Sequence, residues 1–214
     1  MLLAIDTSLG TAAAVVEPDG VVRSEVESLD PRGHAEAVGT LISHALAEAS
    51  ITPADVTHVA VGMGPGPFTG LRVGIAAARA FALGRAVPVV PVVSHDAAAL
   101  TRLLGDALRG VDTPRFAVVT DARRREAAYT VYDDLDAAGL PVRTAEPALA
   151  LRDEIDDRLT GVGAERREAT RVSAAMLGIV AARAVAADRR VGPDDALYLR
   201  SPDVTPPGPR KVLL

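Results

Sequence analysis

The sequence predicts a duplicated α/β fold: two halves joined near residues 109–115, the second shorter than the first. Three observations carry that expectation. Short apolar runs alternate with segments of helical period, the pattern of strands interleaved with helices. After "RGVDTPR" (109–115) the pattern restarts, and "FAVVTDARRREAAYTVYD" repeats the opening order of apolar strand, Asp-led turn and returning strand. Asp6 and Asp121 each close an apolar run, and a new strand begins about five residues on. The length, 214 residues, suits one domain or two small ones. The expected units are residues 1–110, residues 111–200 and a proline-rich, extended tail, 201–214.

Along the chain, "LLAID" reads as a buried strand, followed by a turn over Asp6–Gly10 and a second strand near Thr11–Val16. "EPDG" is a hairpin turn into a third strand. In "GHAEAVGTLISHALAEAS", Val38, Leu41, Ile42, Ala45, Leu46 and Ala49 share one face, so this is an amphipathic helix. "VTHVAVGMG" is a buried strand leading into a helix over Thr69–Arg85. "VPVVPVV" is a strand, and "SHDAAALTRLLGDAL" a helix with Ser94 as its expected N-cap. In the second half a helix is expected near Leu151–Leu159 and a long one near Ser173–Arg190.

Composition narrows the function classes. The chain is 49% hydrophobic and 24% charged, which is globular, and only 3% aromatic, so its core is built from Ala, Val, Leu and Ile. The net charge is −5, whereas a protein that binds RNA unaided usually carries a basic face and aromatic stacking platforms. Arg123-Arg124-Arg125 is a short local exception. With no cysteine, disulfides, thiolate catalysis and Cys-ligated zinc are excluded. Lys211 is the one lysine, which argues against Schiff-base chemistry and a P-loop lysine. "MLLAI" reaches Asp6 too soon for a secretory signal, and Arg72, Arg79 and Arg85 interrupt the longest apolar stretch, so the expected location is the cytoplasm, with no membrane partner.

The motifs leave alternatives open. "DTSLGT" suits a phosphate-holding turn, with Asp6, Thr7 and Ser8 as its polar groups, and equally a plain hairpin turn. "GPGPFTGLR" places a Gly-rich loop at a helix start, but Leu71 and Arg72 follow Gly70 where a P-loop needs Lys and then Ser or Thr. Its glycines are read as supplying special dihedrals. His95 would need a second His one turn on to make a metal pair, and position 99 is Ala99. His95 is therefore expected to be a cap or surface residue. No G-x-S-x-G elbow points to a nucleophilic serine.

"LLAIDTSLGTAAAVV", "GPGPFTGLRVGIAAARAFA", "TDARRREAAYTVY" and "ALYLR" occur in the order and spacing of the TsaB (YeaZ) family, which the chain resembles over about residues 1–200. That resemblance implies an actin-like ATPase (ASKHA) fold: two duplicated α/β halves with mixed sheets, a β-β-β-α-β-α-β core in each, the second half reduced. It implies a non-catalytic subunit of the machinery that makes threonylcarbamoyladenosine in tRNA. The implied partners are the catalytic TsaD-like paralogue, a TsaE-like ATPase, and tRNA only within the complex, with a homodimer when the chain is isolated. Relative to TsaD-like enzymes the metal pair stops at His95. The second-half phosphate turn has become the glycine-free "DARRRE", and the adenosine-site glycines are reduced to Gly161 and Gly163. No resident cofactor is implied beyond weak or vestigial nucleotide binding at Asp6, Thr7 and Ser8. The rival classes are an ATP-dependent transferase and a metallopeptidase-like enzyme in its own right.

The helix over Thr69–Arg85 is apolar nearly all round and must be covered on nearly every side. Gly70, Gly74, Ala78 and Ala82 form a line of small residues four apart. Either the chain's own first helix approaches along that line or a partner's helix does. The family's dimerisation surface favours the partner, with Gly70, Arg72, Gly74, Ala77, Ala78, Phe81 and Ala82 at the seam.

Overall fold

The computed structural model describes residues 1–28, 33–122 and 124–200. Arg123, Lys211 and the proline-rich tail 201–214 lie outside the described residues. The first half comprises β1 (Leu2–Asp6), β2 (Thr11–Val16), β3 (Val22–Ser28), α1 (His34–Glu48), β4 (His58–Gly62), α2 (Phe68–Arg85), β5 (Val89–Val92) and α3 (Ser94–Leu108). The second comprises β6 (Phe116–Ala122), β7 (Glu126–Leu135), β8 (Pro141–Arg143), β9 (Ala148–Leu151), α4 (Ile155–Gly161), β10 (Glu165–Glu168) and α5 (Ala174–Ala186).

Both sheets are mixed. The first has the order β3-β2-β1-β4-β5, with β1 antiparallel to β2 and parallel to β4. The second has the order β10-β6-β7-β8, with β9 also paired to β7, and β10 parallel to β6. The first half carries the full β-β-β-α-β-α-β series, and among the described residues no strand follows α5 in the second. "LLAID" reads as unbroken apolar sequence because the strand is buried on both faces. Its side chains alternate: Leu3 and Ile5 join Val38, Ile42 and Leu46 of α1 and Leu71, Ile75 and Ala78 of α2. Leu2 and Ala4 join Leu100 of α3 and Leu177 and Val180 of α5 on the other side.

α5 therefore does not stay with the half that precedes it. It lies on the first sheet, so residues 111–200 are not a self-contained unit. The close approach needs a glycine: a Cβ at Gly178 would stand 2.6 Å from Val16 Cγ2. α3 lies between the sheets, giving Ala97 and Leu100 to the first core and Ala99 and Leu103 to a cluster with Phe116, Val118 and Tyr132 of the second.

Two helix boundaries differ from expectation. The helix expected from Leu151 starts at Ile155, because Ala148–Leu151 pairs with β7 instead. The last helix stops at Ala186 rather than Arg190: Asp188 turns left-handed (φ 50°), and Arg189 N–H closes back on Ala184 C=O at 2.9 Å. At the β6–β7 tip, Arg124 and Arg125 are both left-handed, φ 64° and 60°. That conformation costs a non-glycine residue about 1–2 kcal/mol.

The small-residue line of α2 faces inward. Gly70, Gly74, Ala78 and Ala82 are all buried within this chain, and Ala78 and Ala82 share a core with α1. The seam expected for a partner is filled by the chain's own elements; of its expected members, Arg72 is exposed and Ala77 and Phe81 are half-buried. Ala78→Glu is then expected to wreck the fold. An unpartnered buried carboxylate costs several kcal/mol, a melting-temperature loss of about 10 °C or more at this chain length. Ala76→Glu, on the exposed side, should melt within a few degrees of the parent. Equal melting of the two variants in thermal unfolding followed by circular dichroism would contradict the inward assignment.

Candidate functional site

Asp6, Thr7 and Ser8 come together at the end of β1 and are buried, each no more than 2% exposed. Their polar atoms are engaged within the chain. Asp6 Oδ1 accepts from Ser8 N–H at 2.8 Å and from Ser8 Oγ at 2.5 Å. Asp6 Oδ2 accepts from Ser94 Oγ at 2.6 Å, and that oxygen accepts from Gly64 N–H at 3.1 Å. Thr7 Oγ1 donates to Gly70 C=O at 2.7 Å. Burial pushes the Asp6 carboxyl above its usual range, against the hydrogen bonds from Ser8 and Ser94 and the charge of His34. A cavity of ≈ 10 Å³ lies beside the turn, lined by Asp6, Gly10, Thr11, Glu27 and Arg171 among others. That is room for about one water molecule.

The glycine-rich stretch is the socket for this turn. A Cβ at Gly62 would fall 1.8 Å from Asp6 Oδ2. One at Gly66 would fall 2.8 Å from Ser8 Cα, and one at Gly70 2.7 Å from Thr7 C=O. At Gly74 it would meet Thr7 Oγ1 at 2.2 Å. Four glycines spaced four apart let β4, the loop after it and the first turns of α2 close on Asp6–Ser8.

Ser94 is not an N-cap. Val93 takes that place without a side-chain cap, and the Ser94 hydroxyl goes to Asp6. The next two residues reach the other sheet. His95, expected at a cap or on the surface, is 0% exposed. Its Nδ1 is 2.8 Å from Thr130 Oγ1 and its Nε2 3.0 Å from Thr120 Oγ1. Two hydroxyls inside apolar strands need partners, and one imidazole serves both. Desolvation lowers the His95 pKa to about 3, so the ring is neutral. Asp96 Oδ1 accepts from Tyr132 O–H at 2.7 Å and lies 3.4 Å from Arg143 Nε. Arg143 also donates to Val191 C=O and pairs with Glu146. Burial pushes the Asp96 carboxyl up to about 7, while Arg143 and the Tyr132 hydrogen bond pull it down and Glu146 pulls it up.

Ala99, where the second metal-pair histidine would stand, is packed in the core under Phe116 and Tyr132. Gly161 and Gly163 are exposed residues at and just beyond the end of α4. Among the described residues no three His, Cys, Asp or Glu side chains gather as metal ligands. No helix of the described residues is long and apolar enough to cross a membrane. Sequence reasoning missed the joint role of Ser94, His95 and Asp96. The available signal was the hydroxyl residues Thr120, Thr130 and Tyr132, set next to apolar residues in their strands.

Two mixed sheets with helices between them, the second reduced, make this an actin-like α/β protein. The same architecture occurs in a Pseudomonas aeruginosa protein described as similar to peptidase YEAZ: TM-score 0.73, 24% identity, 93% of this chain and 99% of that one. It also occurs in YeaZ from Pseudomonas aeruginosa, at TM-score 0.68 and 24% identity over 87% and 92% of the two chains. Residues 17–145 match the model of the TsaD family, tRNA N6-adenosine threonylcarbamoyltransferase, and the chain belongs to that family. An uncharacterized protein of Mycobacterium tuberculosis is 39% identical over 96% of this chain and 94% of its own length. The tRNA N6-adenosine threonylcarbamoyltransferase of Streptococcus pneumoniae is 35% identical over 60% of this chain and 42% of its own. The family places the chain in tRNA modification.

The Asp96 environment has a pH signature. Its pKa is raised on folding, from 3.8 to about 7, so its contribution to stability is full below about pH 4 and is lost as pH rises through about 7. His95 acts in the opposite sense: its lowered pKa contributes stability above about pH 6.5 that is lost toward pH 3. Comparing Asp96→Asn with the parent cancels the His95 part. The variant should gain on the parent between pH 5 and pH 8, by up to about 1.4 kcal/mol per pH unit. A difference in melting temperature that does not change with pH would contradict the upward push of burial on the Asp96 carboxyl.

Proposed function

We propose that this chain is a non-catalytic subunit supporting threonylcarbamoyl transfer to N6 of the adenosine next to the tRNA anticodon. Its partner would be the catalytic TsaD-type transferase, with a TsaE-type ATPase in the same assembly. One observation carries the reading. The groups that phosphate or metal chemistry would use, on Asp6, Ser8, Ser94, His95 and Asp96, are all bonded to one another or to side chains of this chain. A carboxylate that accepts three hydrogen bonds beside a one-water cavity is poorly placed to hold Mg²⁺ or a triphosphate. A scaffold can keep such a centre filled, because the filling makes it rigid.

The outer face of α2 supports the partner assignment. Opposite its buried line stand Ala76, Ala80 and Gly84, all exposed, and Leu83, 84% exposed. Val73, Ala77 and Phe81 flank them half-buried. Small side chains at one-turn spacing admit a second helix closely, and Leu83 supplies an apolar anchor.

Co-expression tests this directly. The chain should co-purify with its transferase paralogue from the native host. Leu83→Glu should weaken pairing a hundredfold or more, about 2.7 kcal/mol, with melting unchanged. The isolated chain should hydrolyse ATP no faster than background. Steady turnover that persists through gel filtration and disappears in Asp6→Asn would overturn the scaffold reading, as would a Leu83→Glu chain that pairs normally.

A further inference from the structure

We propose that residues 191–200 are a strap whose closure on α2 sets the face that the transferase binds, an inference that rests on the reading above of the outer side of α2 as the pairing surface. Beyond α5 the described residues form no helix or strand, only one bridge from Val191 to Val92 of β5. The strap is fastened at separate points. Arg143, which faces Asp96, donates to Val191 C=O at 2.8 Å. Gly192 lies against Pro91, where a Cβ would stand 2.7 Å from the Pro91 carbonyl. Leu197 N–H donates to Met63 C=O at 2.7 Å, one residue before the Gly64 N–H that bonds Ser94. Arg200 pairs with Glu126 at the start of β7. Of residues 191–200 only Val191 is buried. Few buried side chains and isolated hydrogen bonds mark a segment that opens at a lower free energy than the whole fold.

The strap meets α2 at Phe68 and Arg79, and through Phe68 it reaches Arg72. The Tyr198 ring, 41% exposed, packs on Phe68 with centroids 4.8 Å apart and planes tilted by 39°. The Arg72 guanidinium stands over the same Phe68 ring, its Cζ 4.5 Å from the centroid. Arg79 donates to Asp194 C=O. Arg72 and Arg79 are both exposed, as are Ala76 and Ala80, their neighbours on the helix. The closed strap thus holds the long side chains that flank the small ones. A partner helix closing on Ala76 and Ala80 then meets arginines already in place. With the strap open those side chains are ordered during binding, and their lost rotamer freedom opposes it. Closure and pairing are therefore coupled, and such coupling is reciprocal: pairing holds the strap shut as the shut strap favours pairing.

The test combines Leu197→Pro with Tyr198→Ala in the full chain, removing the N–H that bonds Met63 and the ring that backs Phe68. Tyr198→Phe, which keeps the ring, is the control. Melting and affinity for the transferase are measured for each, and hydrogen exchange at Leu197 N–H is followed in the parent, free and paired. In the free parent this amide should exchange faster than the amides of β1, and pairing should slow it about tenfold. The double variant should melt within a few degrees of the parent and pair about tenfold more weakly. Tyr198→Phe should match the parent in both. A double variant that pairs as tightly as the parent, or more tightly, would overturn the inference; if Leu83→Glu still weakens pairing, the proposed function stands. Exchange at Leu197 no faster than in β1 would also overturn it, as would a melting loss of about 10 °C or more in the double variant, because the strap would then be part of the core. Failure of the parent chain to pair with the transferase would overturn the proposed function and this inference together.

Discussion

The centre of the molecule depends on one buried carboxylate. Asp6 ends β1, accepts three hydrogen bonds, and through Ser94 fixes the first residue of α3. Its position requires a glycine at residue 62, and its turn requires further glycines at 66, 70 and 74. From Ser94 the constraint passes along the chain by two residues. His95 bonds the hydroxyls of β6 and β7, and Asp96 bonds Tyr132 on β7 and faces Arg143 on β8. Three consecutive residues thus join the first sheet's central turn to the second sheet. A buried polar network of this kind is sensitive to partial loss, because each member left alone keeps its desolvation cost. In a hinged α/β enzyme the space between the halves would be left for a ligand; here side chains fill it.

Much of the architecture was legible because it follows from periodicity. The alternating faces of "LLAID", the apolar stripe Val38–Ile42–Leu46 and the restart after residue 115 all state their elements directly. The glycine stretch was legible as special but not as to purpose. Spacing shows that something approaches α2 closely; it does not show whether that is Thr7 of the same chain or a helix of another. The same limit applies to His95. A histidine followed by Asp96 at a helix start reads as surface until Thr120 and Thr130, which lie beyond the junction, are known to face it. Local rules also started the helix at Leu151, whereas Leu151 closes a strand paired with β7 and the helix begins at Ile155.

The family relation and the site geometry bear on function in different ways. Kinship with the threonylcarbamoyltransferases gives the pathway context of the chain. The geometry bears on how this member could take part in it. The polar groups of the Asp6–Ser8 turn bond within the chain, while α2 exposes Ala76, Ala80 and Leu83 on its outer side.

The crossing of α5 onto the first sheet has a consequence for synthesis on the ribosome. Leu2, Ala4, Ala12, Ala14 and Val16 line the face that α5 covers, and they are synthesised well before it. The helix that shields them begins only at Ala174. Until then the first sheet can gain α1 and α2 on one side and α3 on part of the other, with an apolar strip still wet. Such long-range closure slows folding relative to a chain of local contacts, and the nascent first half is a natural client for a chaperone. A truncation before residue 174 would leave that strip open for good.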